Sequence, residues 1–232
     1  MALGWRSPRA RRLAFWIVLA IFLYVRCAPR PSFLPLATRI SGPEPAKASA
    51  VVVLLHGRGG GLRSAERMAG QLRDAGLPTD ASIVLVEAPY STWFGHQWGD
   101  RRETQATSRA RIRARLDELL GAAPLPRGRV VVAGFSHGAG MAIDLAVDES
   151  RIGRLASFSP CSSWLRGELP KHDVRVFLAH GRGDAICPVE ESRSLAKVLD
   201  AAKRPATYVE FDGGHHIPMD VAKRFVAFVM EP

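Results

Sequence analysis

Short apolar runs alternate with stretches of helical periodicity from residue 50 to the end of the chain. The apolar runs are rich in Val, Leu and Ala and lack polar alternation, which predicts strands buried on both faces. The predicted strands are Ala50–Leu55, Ile83–Val86, Arg129–Phe135, Leu155–Ser159, Val174–Ala179 and Thr207–Phe211. The predicted helices are Ser64–Ala75, Thr104–Leu120, Ala139–Val147, Glu191–Ala202 and Val221–Met230. This alternation predicts an α/β fold, a mostly parallel sheet of about six to seven strands with helices on both faces.

The first thirty residues follow a different pattern. A basic stretch, Arg6–Arg12, precedes an unbroken apolar run, Leu13–Val25. This order is typical of a signal peptide, or of a signal anchor where cleavage does not follow. As a helix the run would span about 20 Å, less than the ~30 Å hydrocarbon core, and no A-x-A site follows it, so both interpretations stay open. A third interpretation is a buried N-terminal helix of a soluble protein.

The chain therefore divides into three segments. Residues 1–28 are predicted to be the signal peptide or signal anchor, residues 29–48 a Pro-rich linker, and residues 49–232 a single α/β domain. Within the linker, Leu34–Ile40 predicts one short edge strand. Between Ser159 and Val174 there are too few residues for a large cap domain.

The positive charge of the chain is concentrated in this leader. The formal net charge is +10, but residues 1–30 hold six arginines and no acidic residue. The remaining chain has 26 basic and 22 acidic residues, an ordinary balance, so no nucleic-acid partner is predicted. A hydrophobic fraction of 47% excludes a disordered or collagenous chain. Basic residues before the apolar run predict that the domain is extracytoplasmic, either periplasmic or secreted.

Three cysteines, Cys27, Cys161 and Cys187, are too few and too widely spaced for a disulfide scaffold or a zinc ribbon. Cys161 and Cys187 would be able to pair in an oxidising compartment. The simpler interpretation, which we favour from the sequence, is two unpaired thiols.

The third predicted strand ends in a G-x-S-x-G motif centred on Ser136. A serine on a tight turn from strand to helix is held above the sheet, and the flanking glycines keep side chains out of the crowded backbone. The N-terminus of the following helix favours developing negative charge. A G-x-S-x-G motif by itself occurs by chance too often to indicate a function. Its position between a β-branched run and a helix is what predicts a nucleophile.

A nucleophilic serine needs a base and an acid that orients the base. Asp184 follows the next-to-last predicted strand, and the pair His215–His216 follows the last one. Because ligands bind beyond the carboxyl ends of parallel strands, both loops lie where a triad with Ser136 requires them. The alternative interpretations are a helix-capping Asp184 and two surface histidines. The glycine turn before His215 places that histidine, rather than His216, over the sheet.

The first predicted strand ends in a glycine-rich turn, His56–Gly61. Such a turn directs main-chain N–H groups at a developing oxyanion, and the predicted donors are the amides of Arg58 and His137. A P-loop would need Gly-Lys-Ser/Thr, and a dinucleotide fingerprint would need glycine at Leu62, so neither is predicted. His56 is predicted to be structural.

Four motifs together carry a resemblance to a known family. They are LLHGRGG (54–60), AGFSHGAG (133–140), HGRGDAICP (180–188) and GGHHIP (213–218). Over residues 50–230 the chain resembles the α/β-hydrolase superfamily, and within it the phospholipase/carboxylesterase branch that includes the acyl-protein thioesterases. The resemblance implies Ser136, Asp184 and His215 as triad and Arg58 and His137 as oxyanion donors. His137 departs from the family, which often has Gln there.

The loop 87–100 also follows a strand and carries Trp93, Phe94 and Trp98. These side chains are predicted to line an acyl-binding wall, with packing over the sheet edge as the equal alternative. His96 in the same loop is predicted to be a surface or structural histidine.

The sequence thus predicts a serine carboxylic-ester hydrolase that uses an acyl-enzyme and needs neither metal nor organic cofactor. Its expected partner is a small-molecule or lipid-like ester; a membrane tether through Leu13–Val25 is the open alternative to a cleaved leader, and no oligomeric state is predicted. One competing hypothesis is a serine peptidase or amidase with the same machinery. Another is a non-catalytic binding module, which would predict a broken triad that the sequence does not show.

Overall fold

The computed structural model describes residues 12, 14–18, 30–31, 35–121, 128–161, 168–204 and 206–232. Most of the predicted leader, residues 1–28, lies outside the described residues; residues 12 and 14–18 are helical. Among the residues described, no helix combines the length and apolar character needed to cross a membrane.

Within the described residues the main sheet has seven strands, ordered β10-β9-β8-β7-β3-β4-β2. The strands are β2 (Thr38–Ser41), β3 (Val51–Leu55), β4 (Ser82–Val86), β7 (Val130–Phe135), β8 (Ile152–Phe158), β9 (Arg175–Gly181) and β10 (Ala206–Phe211). All neighbouring pairs are parallel except β2 with β4, which is antiparallel at the sheet edge. The predicted α/β fold with a mostly parallel sheet is confirmed.

Helices cover both faces of this sheet. They are α1 (Leu62–Asp74), α2 (Arg102–Leu120), α3 (His137–Asp148), α4 (Val189–Ala201) and α5 (Met219–Met230), with a 3₁₀ turn at Pro45–Lys47. Successive side chains of β3 point to opposite faces, so Val51 and Val53 join one apolar cluster and Val52 joins the other. The first cluster includes side chains of α2, α3 and α4, and the second includes those of α1 and α5.

Strand β8 begins three residues earlier than predicted. Arg154 interrupts the apolar pattern there, but this side chain is buried and its guanidinium donates hydrogen bonds to the carbonyls of Gly128 and Glu231. Those bonds give both terminal nitrogens of a buried charged group a partner, which the hydrophobic pattern alone does not predict.

A second, three-stranded sheet is formed by β1 (Arg30–Pro31), β5 (Tyr90–Thr92) and β6 (Gly95–Gln97), in the order β1-β5-β6. The sequence did not predict it. Strands β5 and β6 form a hairpin whose two-residue turn is Trp93–Phe94. The hairpin lies against the turn after β3, because His96 and Gly60 form an antiparallel bridge.

Candidate active site

Ser136 occupies the sharp turn between β7 and α3. Its backbone has φ 55° and ψ −119°, a conformation that a residue with a side chain adopts at a cost of about 1–3 kcal/mol. Its N–H donates to the carbonyl of Phe158 at 2.8 Å, which holds the turn against the neighbouring strand. This strained turn lifts the serine above the carboxyl end of the sheet.

The glycines of the G-x-S-x-G motif are required by close backbone approach. A Cβ at Gly134 would overlap the carbonyl oxygen of Gly138, and a Cβ at Gly138 would overlap the carbonyl oxygen of Leu55. Helix α3 therefore begins directly on top of β3 and β7, which brings its N-terminus to the turn that carries Ser136.

Asp184 and His215 meet across the loops that follow β9 and β10. The Nδ1 of His215 lies 2.6 Å from the Oδ2 of Asp184, and the Asp184 side chain is fully buried. A carboxylate accepts only, so Nδ1–H is the donor and Nε2 is the basic nitrogen of the ring. The imidazole also packs on Phe135, with ring centroids 4.6 Å apart.

The second oxygen of Asp184 is held by main-chain donors. The amides of Ile186 and Cys187 each donate to Oδ1 at 2.9 Å. Burial opposes ionisation of this carboxyl, but the hydrogen bonds from Cys187, His215 and Ile186 outweigh it and lower the pKa of Asp184 below its ordinary value. Asp184 is therefore ionised at neutral pH despite its burial.

The two loops are also joined to each other. Gly183 donates its N–H to the carbonyl of Gly213 at 2.9 Å, and a Cβ at Gly181 would overlap the carbonyl oxygens of Gly213 and Gly214. His216 is exposed and its ring packs edge-on against Phe211, 5.7 Å away. Of the two adjacent histidines, it is His215 that contacts Asp184.

The turn after β3 lies beside Ser136. A Cβ at Gly57 would come within 3.4 Å of the Ser136 Cβ, and the guanidinium of Arg58 forms an ion pair with Asp100. His56 is buried beneath the turn, where its Nδ1 lies 2.7 Å from the Gly57 carbonyl oxygen and its Nε2 accepts the N–H of Ala88 at 3.0 Å. The predicted structural role of His56 is confirmed.

His137 is the first residue of α3 and its side chain is buried against the segment that follows β6. The N–H of Trp98 points to its Nδ1 at 3.5 Å, and its Nε2 lies 3.3 Å from the carbonyl oxygen of Gly99. Since Nδ1 accepts, the ring proton is on Nε2. Burial, with a smaller effect of the nearby Arg58 charge, lowers the pKa of His137 to about 3. The imidazole is therefore neutral at physiological pH.

A cavity of about 580 Å³ joins these elements. Its lining includes Ser136 and His215, together with Gly57, Arg58, Gly59, Thr92, Trp93, Phe94, Gln97, Asp100, Phe135 and Ile186. Three of its apolar side chains are exposed: Trp93 (61%), Phe94 (80%) and Ile186 (69%). The cavity thus has an apolar rim at its mouth and the serine and histidine inside. Among the described residues, no His, Cys, Asp and Glu side chains cluster as metal ligands would.

The aromatic residues of the loop 87–100 separate into two groups. Trp93 and Phe94 line the cavity, but Trp98 is fully buried and donates its ring N–H to the carbonyl of His56 at 2.8 Å. The prediction of Trp98 as part of an acyl-binding wall is therefore wrong, because its indole packs beneath the turn after β3. His96 is a structural histidine, since its Nδ1 lies 3.0 Å from the carbonyl oxygen of Ala88.

Ile186 and Phe135 were missed as cavity residues. Phe135 is the variable residue before the serine in G-x-S-x-G, and Ile186 lies two residues after Asp184. Their apolar character beside the predicted triad was the available signal.

Cys161 and Cys187 form a disulfide with their Cα atoms 5.1 Å apart. The interpretation of two unpaired thiols is therefore wrong. The two cysteines are 26 residues apart in sequence, but each follows one of the neighbouring parallel strands β8 and β9, so their chain segments emerge side by side.

Comparison with known proteins agrees with this architecture. The model of the Phospholipase/Carboxylesterase family matches residues 39–230. Among curated proteins, MhqD of Bacillus subtilis (strain 168), which is named as a hydrolase, is 31% identical over 111 residues. That match covers 47% of this chain and 56% of MhqD, so the chain spans about half the length of this relative.

Solved structures of similar fold include several esterases. Esterase PE8 aligns with a TM-score of 0.69 and 25% identity, over 84% of this chain and 98% of PE8. A carboxylesterase from Bacillus cereus aligns with a TM-score of 0.67 and 19% identity, over 90% of this chain and 97% of that one. The chain therefore belongs to the phospholipase/carboxylesterase family, a family of ester-hydrolysing enzymes with the α/β-hydrolase fold.

Proposed function

We propose that this protein is a serine carboxylic-ester hydrolase that works through an acyl-enzyme, with Ser136 as nucleophile, His215 as base and Asp184 as the orienting acid. The observation that carries the proposal is the 2.6 Å contact between His215 and Asp184, combined with the position of His215 and Ser136 on one cavity. Family membership supports the ester-hydrolysing chemistry.

In the proposed acylation step, the Oγ of Ser136 attacks the ester carbonyl while the Nε2 of His215 takes its proton. Asp184 keeps the other nitrogen of His215 protonated and stabilises the imidazolium that forms. The lowered pKa of Asp184 suits this role, because the carboxylate remains charged at neutral pH. The imidazolium then protonates the departing alcohol, and water hydrolyses the acyl-enzyme by the same route.

The tetrahedral oxyanion is proposed to bind the main-chain N–H groups of Arg58 and His137. Both residues adjoin Ser136: Arg58 follows Gly57, whose α-carbon lies against Ser136, and His137 begins α3. The N-terminus of α3 adds a favourable dipole for negative charge. The side chain of His137 is neutral and buried, so it contributes no charge of its own to this step.

The proposed substrate is a small-molecule or lipid-like ester with an apolar acyl group. The rim of Trp93, Phe94 and Ile186 offers apolar surface for such a group, and the cavity volume of about 580 Å³ is within the range of small-ligand sites.

Hydrolysis of p-nitrophenyl esters from acetyl to palmitoyl tests the proposal, with matched p-nitroanilides assayed in parallel. We expect ester turnover that Ser136→Ala abolishes and Ser150→Ala leaves intact, since Ser150 is an exposed serine just past the far end of α3. Faster turnover of the anilides would favour an amidase. No turnover of any substrate by the folded wild type would favour a binding module.

We also propose that the domain is exported, either with the leader removed or with Leu13–Val25 retained as a membrane tether. The arginines before the apolar run and the Cys161–Cys187 disulfide support export, because disulfides persist in oxidising compartments. A reporter that works only outside the cytoplasm, fused after residue 45, should be active. The mass of the mature N-terminus then separates cleavage from retention. No activity from this reporter, with activity from a second reporter that works only in the cytoplasm, would contradict export.

A further inference from the structure

We propose that the Cys161–Cys187 disulfide is a positioning element for the triad acid, so that its reduction lowers the catalytic rate of the folded enzyme. The inference rests on the proposed function, because it assigns the disulfide a role in holding Asp184 toward His215. Neither cysteine lines the cavity around Ser136, so the effect acts through the loop that carries Asp184.

The loop from Asp184 to Cys187 binds the carboxylate with its own backbone. The amides of Cys187 and Ile186 both donate to Oδ1 of Asp184 at 2.9 Å. These two bonds fix the rotation of the carboxylate and thereby aim Oδ2 at the Nδ1 of His215. Any movement of Cys187 displaces one of the donors that set this orientation.

Cys187 is held from two sides. Its carbonyl oxygen lies 2.8 Å from the Nε2 of His180, whose Nδ1 is 2.8 Å from the hydroxyl of Ser192 at the start of α4. Its side chain is fully buried and ends in the disulfide to Cys161. The hydrogen bonds tie Cys187 through His180 to strand β9 and from there to α4, whereas the disulfide ties it to the segment that follows the neighbouring strand β8.

That second anchor is well fixed. Cys161 lies three residues beyond the end of β8, and Ser159, between them, donates its N–H to the carbonyl of Ala179 in β9 at 2.9 Å. Cys161 also packs against the buried apolar cluster. The disulfide therefore fixes the loop that carries Asp184 relative to the centre of the sheet. The loop itself contains Gly183, which has no side chain to restrain its backbone.

Reduction by dithiothreitol is a thiol–disulfide exchange. One dithiothreitol gives two electrons and two protons to the disulfide, which becomes two thiols, and is itself oxidised to its cyclic disulfide. The freed Cys187 then keeps its hydrogen bonds and its buried side chain but loses the covalent link to the segment after β8. Displacement by about 1 Å at a catalytic group costs up to about 100-fold in rate, so we expect kcat to fall about 10- to 100-fold with KM changed less than about twofold.

The experiment compares oxidised, reduced and reoxidised full-length protein at a temperature where circular dichroism shows all three to be folded. Two readouts are taken: kcat and KM for a p-nitrophenyl ester, and the rate constant for labelling by a fluorophosphonate. Thiol titration establishes complete reduction. Cys161→Ser and Cys187→Ser should each reproduce the reduced state and lose sensitivity to reductant, and Cys27→Ser should behave as the wild type.

The outcomes separate the two proposals. A slower labelling rate and lower kcat after reduction, restored by reoxidation, support the positioning role. Equal labelling rates and kcat in fully reduced and oxidised protein overturn it while leaving the hydrolase proposal intact. If Cys187→Ser slows labelling but Cys161→Ser does not, the covalent bond is not responsible and the inference is wrong. Failure of the folded, oxidised protein to label at all would refute the proposed function, and the positioning role with it.

Discussion

The two sides of the cavity are built in different ways. On one side, the loops after β9 and β10 hold Asp184 and His215 through fixed hydrogen bonds, and the carboxylate is fully buried. On the other side, the β5–β6 hairpin presents Trp93 and Phe94 at its turn with most of their surface exposed. One side is a satisfied polar network and the other is an uncovered apolar edge.

This difference separates the residues that carry out the proposed reaction from those that would select the acyl group. Every polar atom that orients His215 has a partner, so a substitution there leaves a buried group unsatisfied and costs activity. The hairpin turn contributes contact area and few fixed bonds, so its side chains can change without disturbing the core. We therefore expect the two sides to respond differently to mutation.

The largest effect is expected at His215 on the polar side. His215→Ala removes the base and should lower kcat about 10³- to 10⁶-fold, as loss of a triad member does elsewhere. His216→Ala is the matched control, because its exposed ring packs on Phe211 and should cost at most about tenfold, equivalent to ~1.4 kcal/mol. Steady-state ester hydrolysis measures both, and the reverse order of effects would show that the base is assigned to the wrong histidine.

An intermediate effect, on the pH dependence of stability, is expected at the buried side chain of His137. Its pKa is about 3 in the folded protein against 6.5 ordinarily, so between these values the unfolded chain binds a proton that the folded chain does not. Stability contributed by neutral His137 is thus complete above pH 6.5 and lost as the pH falls toward 3. Each unit corresponds to ~1.4 kcal/mol, so between pH 7 and pH 4 this loss amounts to about 3 kcal/mol.

The comparison for this prediction is His137→Gln, which does not titrate. Urea unfolding at pH 7 and pH 4 should show the wild type losing about 3 kcal/mol more free energy of unfolding than the variant. Equal losses of free energy of unfolding would mean that the fold does not keep the His137 imidazole neutral. Burial of His137 would then not distinguish it from the exposed side chains of the hairpin turn.

The smallest effect on stability is expected at the hairpin turn. The double substitution of Trp93→Ala and Phe94→Ala should change the free energy of unfolding by less than about 0.5 kcal/mol, because both side chains are exposed. For this double variant, kcat/KM should fall about tenfold for long acyl esters and about twofold for the acetyl ester, since only long chains reach the rim. Val198→Ala, an exposed residue of α4, is the control and should alter neither. Equal losses for all chain lengths would mean that the rim does not bind the acyl group.

Sequence patterns were sufficient for the central strands β3, β4 and β7, because these are apolar runs rich in β-branched residues between helical periods. Val51–Leu55 and Val130–Phe135 are buried on both faces, so local composition reports their environment. The order of the loops then placed Asp184 and His215 at one edge of the sheet, and their contact follows from the parallel pairing of β9 with β10.

Features that depend on contacts distant in sequence were not predictable in this way. The pairing of Cys161 with Cys187 depends on how the segments after β8 and β9 leave the sheet. The burial of Trp98 depends on the carbonyl of His56, which lies 42 residues away. The hairpin of β5 and β6 is too short for a periodic pattern. Its bridge to Gly60 is a main-chain contact, so it leaves no signal in the residue types.

The proposed function depends on Ser136 as the nucleophile of an esterase. Mass spectrometry of the protein treated with a fluorophosphonate tests it most directly, because only a serine activated by a base reacts rapidly with this probe. We predict a single adduct on the peptide that contains Ser136, and no adduct in Ser136→Ala. An adduct on a different residue, or an unmodified but folded wild type, would contradict the assignment of Ser136 as the nucleophile.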